Sequence, residues 1–106
     1  MFIVDACITI QPEQRSGFLA LMDRVVSLTR HEPGNHGFRL TTDLVDPATF
    51  FLFEHWESED ALRDHLRQPY LVELGAAAPG FGFAISGTAY AIVGSESAVE
   101  VLKRVR

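Results

Sequence analysis

Apolar and polar residues follow two distinct periods along the chain, and these predict strands and helices in turn. Residues 2–10 alternate with a period of two, which is typical of a strand. From Pro12 to Arg30 the apolar residues recur every three or four positions, which predicts an amphipathic helix with Pro12 in its first turn. Pro33 and Gly34 should end this helix, because proline blocks its continuation and glycine permits a positive φ.

The middle of the chain predicts a hairpin followed by a second helix. Residues 36–45 and 50–56 both have the character of strands, and the turn residues Asp46 and Pro47 separate them. Because the connection is only about four residues long, the two strands are expected to pair antiparallel. Ser58 is placed to cap the next helix, with acidic residues in the first turn, where they favour the helix dipole.

The last third of the chain predicts short helices and a final strand. Pro69 should break the second helix, and a short helix follows over residues 70–77. Residues 79–82 are rich in proline and glycine and predict a loop. Residues 84–93 then predict the last strand.

The predicted order is therefore β-α-β-β-α-β, the ferredoxin-like arrangement of an α+β protein, with helices on one face of an antiparallel sheet. We assign residues 1–94 to this domain and residues 95–106 to a C-terminal extension. Ser97 and Glu100 in the extension match a capping box, which favours a short helix, although a terminal strand stays possible.

The third strand carries apolar residues on both of its faces. Phe50 and Leu52 point to one face of the sheet, whereas Phe51 and Phe53 point to the other. Helices on one side of a sheet cover only one face, so the second apolar face would be left exposed. We therefore expect a homodimer in which two such sheets pair face to face.

Composition and charge restrict the partners of the protein. The formal net charge is −5, which argues against nucleic acid or an anionic membrane as a partner. Cys7 is the single cysteine, so an internal disulfide is excluded and the residue is interpreted as a packing residue. No leader peptide and no apolar run of roughly 20 residues is present, and we expect a soluble, cytoplasmic protein.

Four short motifs occur in order along the chain. They are Glu32-Pro33-Gly34, Asp46-Pro47, Phe53-Glu54-His55-Trp56-Glu57-Ser58-Glu59 and His65-Leu66-x-x-Pro69. With these motifs at these spacings, the chain resembles the antibiotic biosynthesis monooxygenase (ABM) family of small dimeric α+β barrels. The resemblance implies a ferredoxin-like homodimer that oxygenates quinols, anthrones or similar electron-rich phenolics without a cofactor.

Haem and metal chemistry are not expected. Haem-degrading relatives resemble this chain in the second helix but carry a tryptophan and, ten residues later, a histidine, where this chain has His65 and Gly75. They also carry an asparagine on the first strand, which this chain lacks. His31 and His36 flank a turn, with no cysteine or pair of convergent carboxylates to complete a tetrahedral metal site.

The candidate chemistry lies on the third strand and the second helix. Glu54 and Trp56 share one face of the strand, and His65 lies on the inner side of the helix that follows. A carboxylate beside an imidazole in an apolar pocket fixes the ring tautomer and makes the ring a better base. We assign His65 as the catalytic base, Glu54 as the residue that orients it, and Trp56 as a substrate contact. Each of the three also has a structural interpretation as a buried core residue.

Further residues are candidates for binding the substrate. His36 is one of them, and Arg39 is either a partner in an ion pair between subunits or an anion binder. Residues 75–82 are expected to form a flexible connection that gates the pocket. Four apolar residues would line any cavity between helices and sheet, although nearly the same set describes a filled core: Phe18, Met22, Phe51 and Phe53.

Three functional hypotheses remain. The first is a cofactor-independent monooxygenase that oxidises a small electron-rich aromatic molecule with O₂. The second is a non-catalytic protein that binds a small aromatic metabolite in the same cavity. The third is a structural dimer with a filled core. No serine-nucleophile motif supports hydrolysis.

Overall fold

The computed structural model describes residues 1–105, so Arg106 at the end of the predicted extension lies outside the described residues. A short 3₁₀ turn, Pro12–Gln14, precedes the first helix. The strands and helices are β1 (Phe2–Thr9), α1 (Arg15–Thr29), β2 (Asn35–Thr42), β3 (Thr49–Trp56), α2 (Glu59–Leu66), α3 (Pro69–Phe81), β4 (Ala84–Ala91) and α4 (Ala98–Val105).

The four strands form one antiparallel sheet in the order β2-β3-β1-β4. The register places Glu54 of β3 opposite Val4 of β1 and Phe38 of β2. The pairing of β2 with β3 is irregular between Asn35 and Gly37. This topology confirms the predicted ferredoxin-like α+β fold.

The apolar core lies between the sheet and the helices. Phe18, Met22 and Val25 of α1 are buried, as three- and four-residue spacing along a helix predicts. Phe18 packs against Phe50 of β3 with ring centroids 5.0 Å apart. The face of β3 that carries Phe50 also carries Trp56, which is fully buried. Helices α1, α2 and α3 therefore cover one face of the sheet, as expected.

The hairpin between β2 and β3 is fixed by two aspartates. Asp46 accepts hydrogen bonds from the N–H of Ala48 (2.9 Å) and from the hydroxyl of Thr49 (2.8 Å). Asp43 accepts from the N–H of Val45 and of Asp46, at 3.0 and 2.9 Å. The turn therefore begins at Asp43, and β2 ends earlier than the predicted residue 45.

The prediction of a loop over residues 79–82 is wrong. Helix α3 continues to Phe81 with Pro79 inside it, and it ends at Gly82, which has a φ of 64°. Phe81 anchors the last turn, because its ring packs edge-on against Phe18 and its carbonyl accepts a 2.8 Å hydrogen bond from the N–H of Gln11. Tertiary packing thus outweighs the local cost of the proline. The flexible gate predicted for residues 75–82 has no basis, because those residues up to Phe81 are helical.

The described part of the chain ends in a helix rather than a strand. Strand β4 stops at Ala91, two residues before the predicted end, since its partner β1 begins at Phe2 opposite Ala91. Helix α4 follows, and Ser97 Oγ accepts a 3.2 Å hydrogen bond from the N–H of Val99. The division into a domain and an extension stays a prediction. Within residues 1–105, none of the helices is both long and apolar enough to cross a bilayer.

Candidate active site

His65 lies on the buried side of α2, in its last turn. Ser58 caps the helix, because its Oγ accepts a 3.1 Å hydrogen bond from the N–H of Ala61. The His65 ring lies near those of Trp56 and Phe38, with centroid distances of 4.7 and 5.4 Å. Only 2% of the residue is exposed. The imidazole is therefore buried beside two aromatic rings.

The turn after α1 packs directly against the start of α2. Gly34 has a φ of 79°, and a Cβ at this position would come within 2.8 Å of the Ala61 Cβ. The carbonyl of Gly34 accepts a 2.8 Å hydrogen bond from the N–H of Glu57. Glycine is the residue that permits both this backbone conformation and this close approach. This packing places Glu32, two residues before Gly34 in the chain, next to His65.

Glu32 contacts His65 at Nδ1. The Glu32 carboxylate accepts a 2.7 Å hydrogen bond from Nδ1, and both side chains are buried. Because an ionised carboxylate can only accept, Nδ1 carries a proton in this pair, and in the neutral ring Nε2 is then the nitrogen that has the lone pair. The hydroxyl of Tyr70, on α3, donates to the same Glu32 oxygen. Burial and the neighbouring Glu32 raise the pKa of Tyr70 to about 12, so the hydroxyl remains a donor.

Glu54 lies on the Nε2 side of the ring. Its Oε1 is 3.8 Å from His65 Nε2, which is too far for a hydrogen bond, and it accepts a 3.0 Å hydrogen bond from the indole N–H of Trp56. Burial raises the pKa of Glu54 against the opposing effects of Trp56 and His65. This carboxyl group is therefore more readily protonated than an exposed glutamate.

A cavity of about 130 Å³ lies beside Glu54 and His65. Leu66 and Ile85 at its rim are 59% and 54% exposed, which marks its opening to solvent. The site is thus a small apolar chamber with one histidine and one glutamate in its wall. The apolar lining residues are Ile8, Met22, Val25, Phe38, Leu52, Leu66, Leu71, Leu74, Phe83 and Ile85.

The predicted pair, Glu54 and His65, does come together, and the roles predicted for the two residues stay predictions. Glu54 and His65 both line the cavity, whereas the position that orients the ring at Nδ1 belongs to Glu32. Trp56 lies behind Glu54 as a fully buried hydrogen-bond donor. Of the predicted apolar contacts, Met22 lines the cavity, and Phe18 lies in the filled core beside it.

The placement of Phe51 and Phe53 between helices and sheet is wrong. Both residues alternate with the buried residues of β3, so they lie on the face of the sheet opposite to Glu54. There they border a shallow depression that also contains Asp5 and Arg39. His36 is exposed and lines a surface groove with Arg39, so it does not reach the cavity.

Sequence reasoning missed two members of the site, Glu32 and Tyr70. Glu32 lies in the Glu32-Pro33-Gly34 motif, one of the four motifs on which the family resemblance rests. Its place in that motif was the one sequence feature that could have pointed to it. Tyr70 follows Pro69, the last residue of the fourth motif. Neither residue can be connected to His65 from the hydrophobic period or from the residue spacing of the sequence. The contact of Glu32 with His65 depends on how the turn after α1 packs against α2.

The comparisons with known proteins identify the family of this chain. A family model described as antibiotic biosynthesis monooxygenase matches residues 1–76. The YcnE protein of Bacillus subtilis, which carries a provisional monooxygenase name, is 32% identical over 65 residues, covering 61% of this chain and 68% of that protein. An uncharacterized Synechocystis protein is 29% identical over 77 residues, or 73% of this chain, but the match spans only 52% of the relative.

Solved structures share the fold. A Deinococcus radiodurans protein matches with a TM-score of 0.84 at 23% identity, covering 92% of this chain and 97% of the other. Rv0793 from Mycobacterium tuberculosis matches with a TM-score of 0.78 at 27% identity, covering 91% and 98%. With its own ferredoxin-like sheet and a family match over most of its length, the chain belongs to the antibiotic biosynthesis monooxygenase family.

Proposed function

We propose that the protein is a cofactor-independent monooxygenase that oxidises a small electron-rich aromatic molecule, of the quinol, anthrone or polyphenol type, with O₂. The observation that carries the proposal is the 2.7 Å hydrogen bond from His65 Nδ1 to Glu32, which leaves Nε2 free beside the cavity. An imidazole held in this way is suited to remove a proton from a phenolic hydroxyl.

The proposed reaction begins with proton transfer. His65 Nε2 takes the phenolic proton, and Glu32 stabilises the imidazolium that forms. The phenolate then gives one electron to O₂, and the phenoxyl and superoxide radicals combine to form a carbon–oxygen bond. The His65 imidazolium returns its proton to the outer peroxide oxygen, and loss of the ring C–H proton with cleavage of the O–O bond releases water and leaves a quinone, so that hydroquinone and O₂ give hydroxyquinone and H₂O. The substrate supplies the electrons, and O₂ is the oxidant.

The proposed working form is a homodimer. The face of the sheet away from the helices exposes Phe51 and Tyr90, and Phe53 lies beside Phe51. Pairing of this face with that of a second copy would remove these aromatic groups from water. Because the cavity lies on the opposite side of the sheet, the dimer would leave its rim accessible.

Oxygen uptake tests the proposed function. Wild-type protein freed of metal ions should consume O₂ with one member of a panel of quinols and anthrones well above the rate of autoxidation. His65→Ala should lower that rate by roughly 100-fold or more, because a positioned general base contributes about that much. His31→Ala is the matched control, since His31 is exposed at the end of α1, and it should keep the wild-type rate.

Equal oxygen uptake by wild type and His65→Ala would rule out His65 as the catalytic base. If no panel member raises uptake above the blank while one of them still binds, the protein is instead a non-catalytic carrier of an aromatic metabolite.

A further inference from the structure

The size and the lining of the cavity restrict which aromatic molecule it can hold. We propose that the site selects a neutral, single-ring phenol or quinol, with one hydroxyl directed at His65 and Glu54, and that it excludes fused-ring anthrones. This selectivity rests on the proposed oxygenase function and narrows it to one substrate class.

Size is the first determinant. The cavity volume is about 130 Å³. An apolar protein cavity of roughly 150 Å³ holds benzene, so this cavity matches one six-membered ring with small substituents. An anthrone has three fused rings and would need the surrounding side chains to move. Close-packed interiors resist such movement.

Polarity is the second determinant. Ten of the twelve residues that line the cavity are apolar, and the two polar ones, Glu54 and His65, lie side by side. A ligand can therefore satisfy a hydroxyl group at this end, whereas a polar group placed against the leucine-rich wall would lose its hydrogen bonds to water. The exposed rim at Leu66 and Ile85 is where a second hydroxyl group can still reach solvent.

Charge is the third determinant. Two carboxyl groups, Glu32 and Glu54, flank the His65 ring, and within residues 1–105 neither a lysine nor an arginine lines the cavity. A carboxylate-bearing ligand would bring a further negative charge into this buried region without a basic partner. A neutral phenol avoids this cost before the proton is removed.

Anaerobic calorimetric titration tests the selectivity separately from turnover, because binding is measured without O₂. Methylhydroquinone is the single-ring probe, anthrone the fused-ring probe and 4-hydroxybenzoate the anionic probe. Methylhydroquinone should bind wild-type protein at least ten-fold more tightly than either of the others. Binding of anthrone or of 4-hydroxybenzoate as tight as that of methylhydroquinone would overturn the size or the charge determinant, respectively.

Two variants locate the binding site. Leu66→Trp fills the exposed rim and should reduce methylhydroquinone binding at least ten-fold. Leu74→Ala enlarges the cavity and should strengthen 1-naphthol binding at least ten-fold. Val72→Ala is the control and should leave the affinities for methylhydroquinone and 1-naphthol unchanged. Val72 lies on α3, like Leu74, but it is 63% exposed and does not line the cavity. Wild-type affinities in both cavity variants would show that the ligand binds elsewhere.

The selectivity and the oxygenase function can fail independently. If methylhydroquinone binds as predicted but no O₂ is consumed, the selectivity holds and the oxygenase proposal falls. If anthrone is oxidised in a His65-dependent manner, the oxygenase proposal holds and the selectivity is wrong.

Discussion

At the scale of single residues, the site depends on which atoms of His65 are already occupied. Nδ1 is bound to Glu32, whose carboxylate also accepts from Tyr70, so one nitrogen is committed to structure. Nε2 faces Glu54 without a hydrogen bond between them. Among the described residues, Thr29 Oγ1 is the one fully buried side-chain nitrogen or oxygen without a hydrogen-bond partner, so Nε2 of His65 is accessible from the cavity rather than sealed in the core.

Glu54 should make the stability of the protein depend on pH. Burial raises the pKa of Glu54 above its ordinary value of 4.5, so the folded state holds this proton more tightly than the unfolded state. Stability should therefore fall as pH rises from about 4.5 towards the folded-state pKa. Glu54→Gln cannot ionise, and its free energy of unfolding relative to wild type should increase between pH 4 and pH 7, as measured by urea denaturation.

Asp46 supplies a control of opposite sign. Hydrogen bonds from Ala48 and Thr49 lower the pKa of Asp46, so its contribution to stability is present at neutral pH and is lost as pH falls through that lowered pKa. Asp46→Asn should therefore be most destabilising at neutral pH. If Glu54→Gln showed the same trend as Asp46→Asn, the Glu54 carboxyl would be stabilised in its ionised form, contrary to the account.

Strand parity and helical spacing explain why part of the site was predictable from the sequence. Parity along β3 places Glu54 and Trp56 together, and helical spacing places His65 on the inner side of α2. The same parity excludes Phe51 and Phe53 from the cavity, so their misplacement came from treating every aromatic residue of the strand as a wall of one pocket. Glu32 could not be found by spacing, because its contact with His65 spans 33 residues.

At the scale of elements, the turn between α1 and β2 positions His65, the proposed base. Gly34→Ala should lower the free energy of unfolding by about 1–3 kcal/mol, because alanine is strained at a positive φ and its Cβ would press on Ala61. Gly75→Ala is the matched control. Apart from its chain neighbours and the local backbone of α3, no described atom lies within 4 Å of a Cβ built there, and the change should stabilise α3 by about 0.5–1 kcal/mol. Urea denaturation measures both, and equal effects would contradict the role of Gly34.

Helices and strands were predicted well wherever the spacing of apolar residues and the nearby turn-forming residues indicate the same element. The failures occurred where a tertiary contact decides the outcome. Helix α3 passes through Pro79 because Phe81 packs against Phe18, and no local signal in residues 79–82 reveals that contact. Strand β4 ends where its partner β1 begins, which depends on the sheet register rather than on the sequence of β4.

At the scale of the whole molecule, the two faces of the sheet have different proposed uses. The covered face holds the core and the cavity, and the open face exposes Phe51, which is 42% exposed. If a second copy covers this face, Phe51→Asp would bury an unpaired charge at a cost of about 3–5 kcal/mol. The variant should weaken dimerisation by roughly 100-fold or more, as measured by analytical ultracentrifugation.

Leu44→Asp is the control for this interface. Leu44 is fully exposed in the hairpin rather than on the sheet face, so its replacement should leave the dimer intact. A wild-type protein that sediments as a monomer, or a Phe51→Asp variant that dimerises normally, would exclude this face as the subunit interface.

Chemical rescue of His65→Ala tests the central claim most directly. The substitution leaves a space beside the cavity that imidazole can enter, so added imidazole can restore a missing base but cannot restore a missing contact between α2 and the sheet. We predict that His65→Ala loses oxygen uptake with methylhydroquinone, and that millimolar imidazole restores it in proportion to its unprotonated fraction. Loss of uptake in a folded variant that imidazole does not restore would contradict the assignment of His65 as the base.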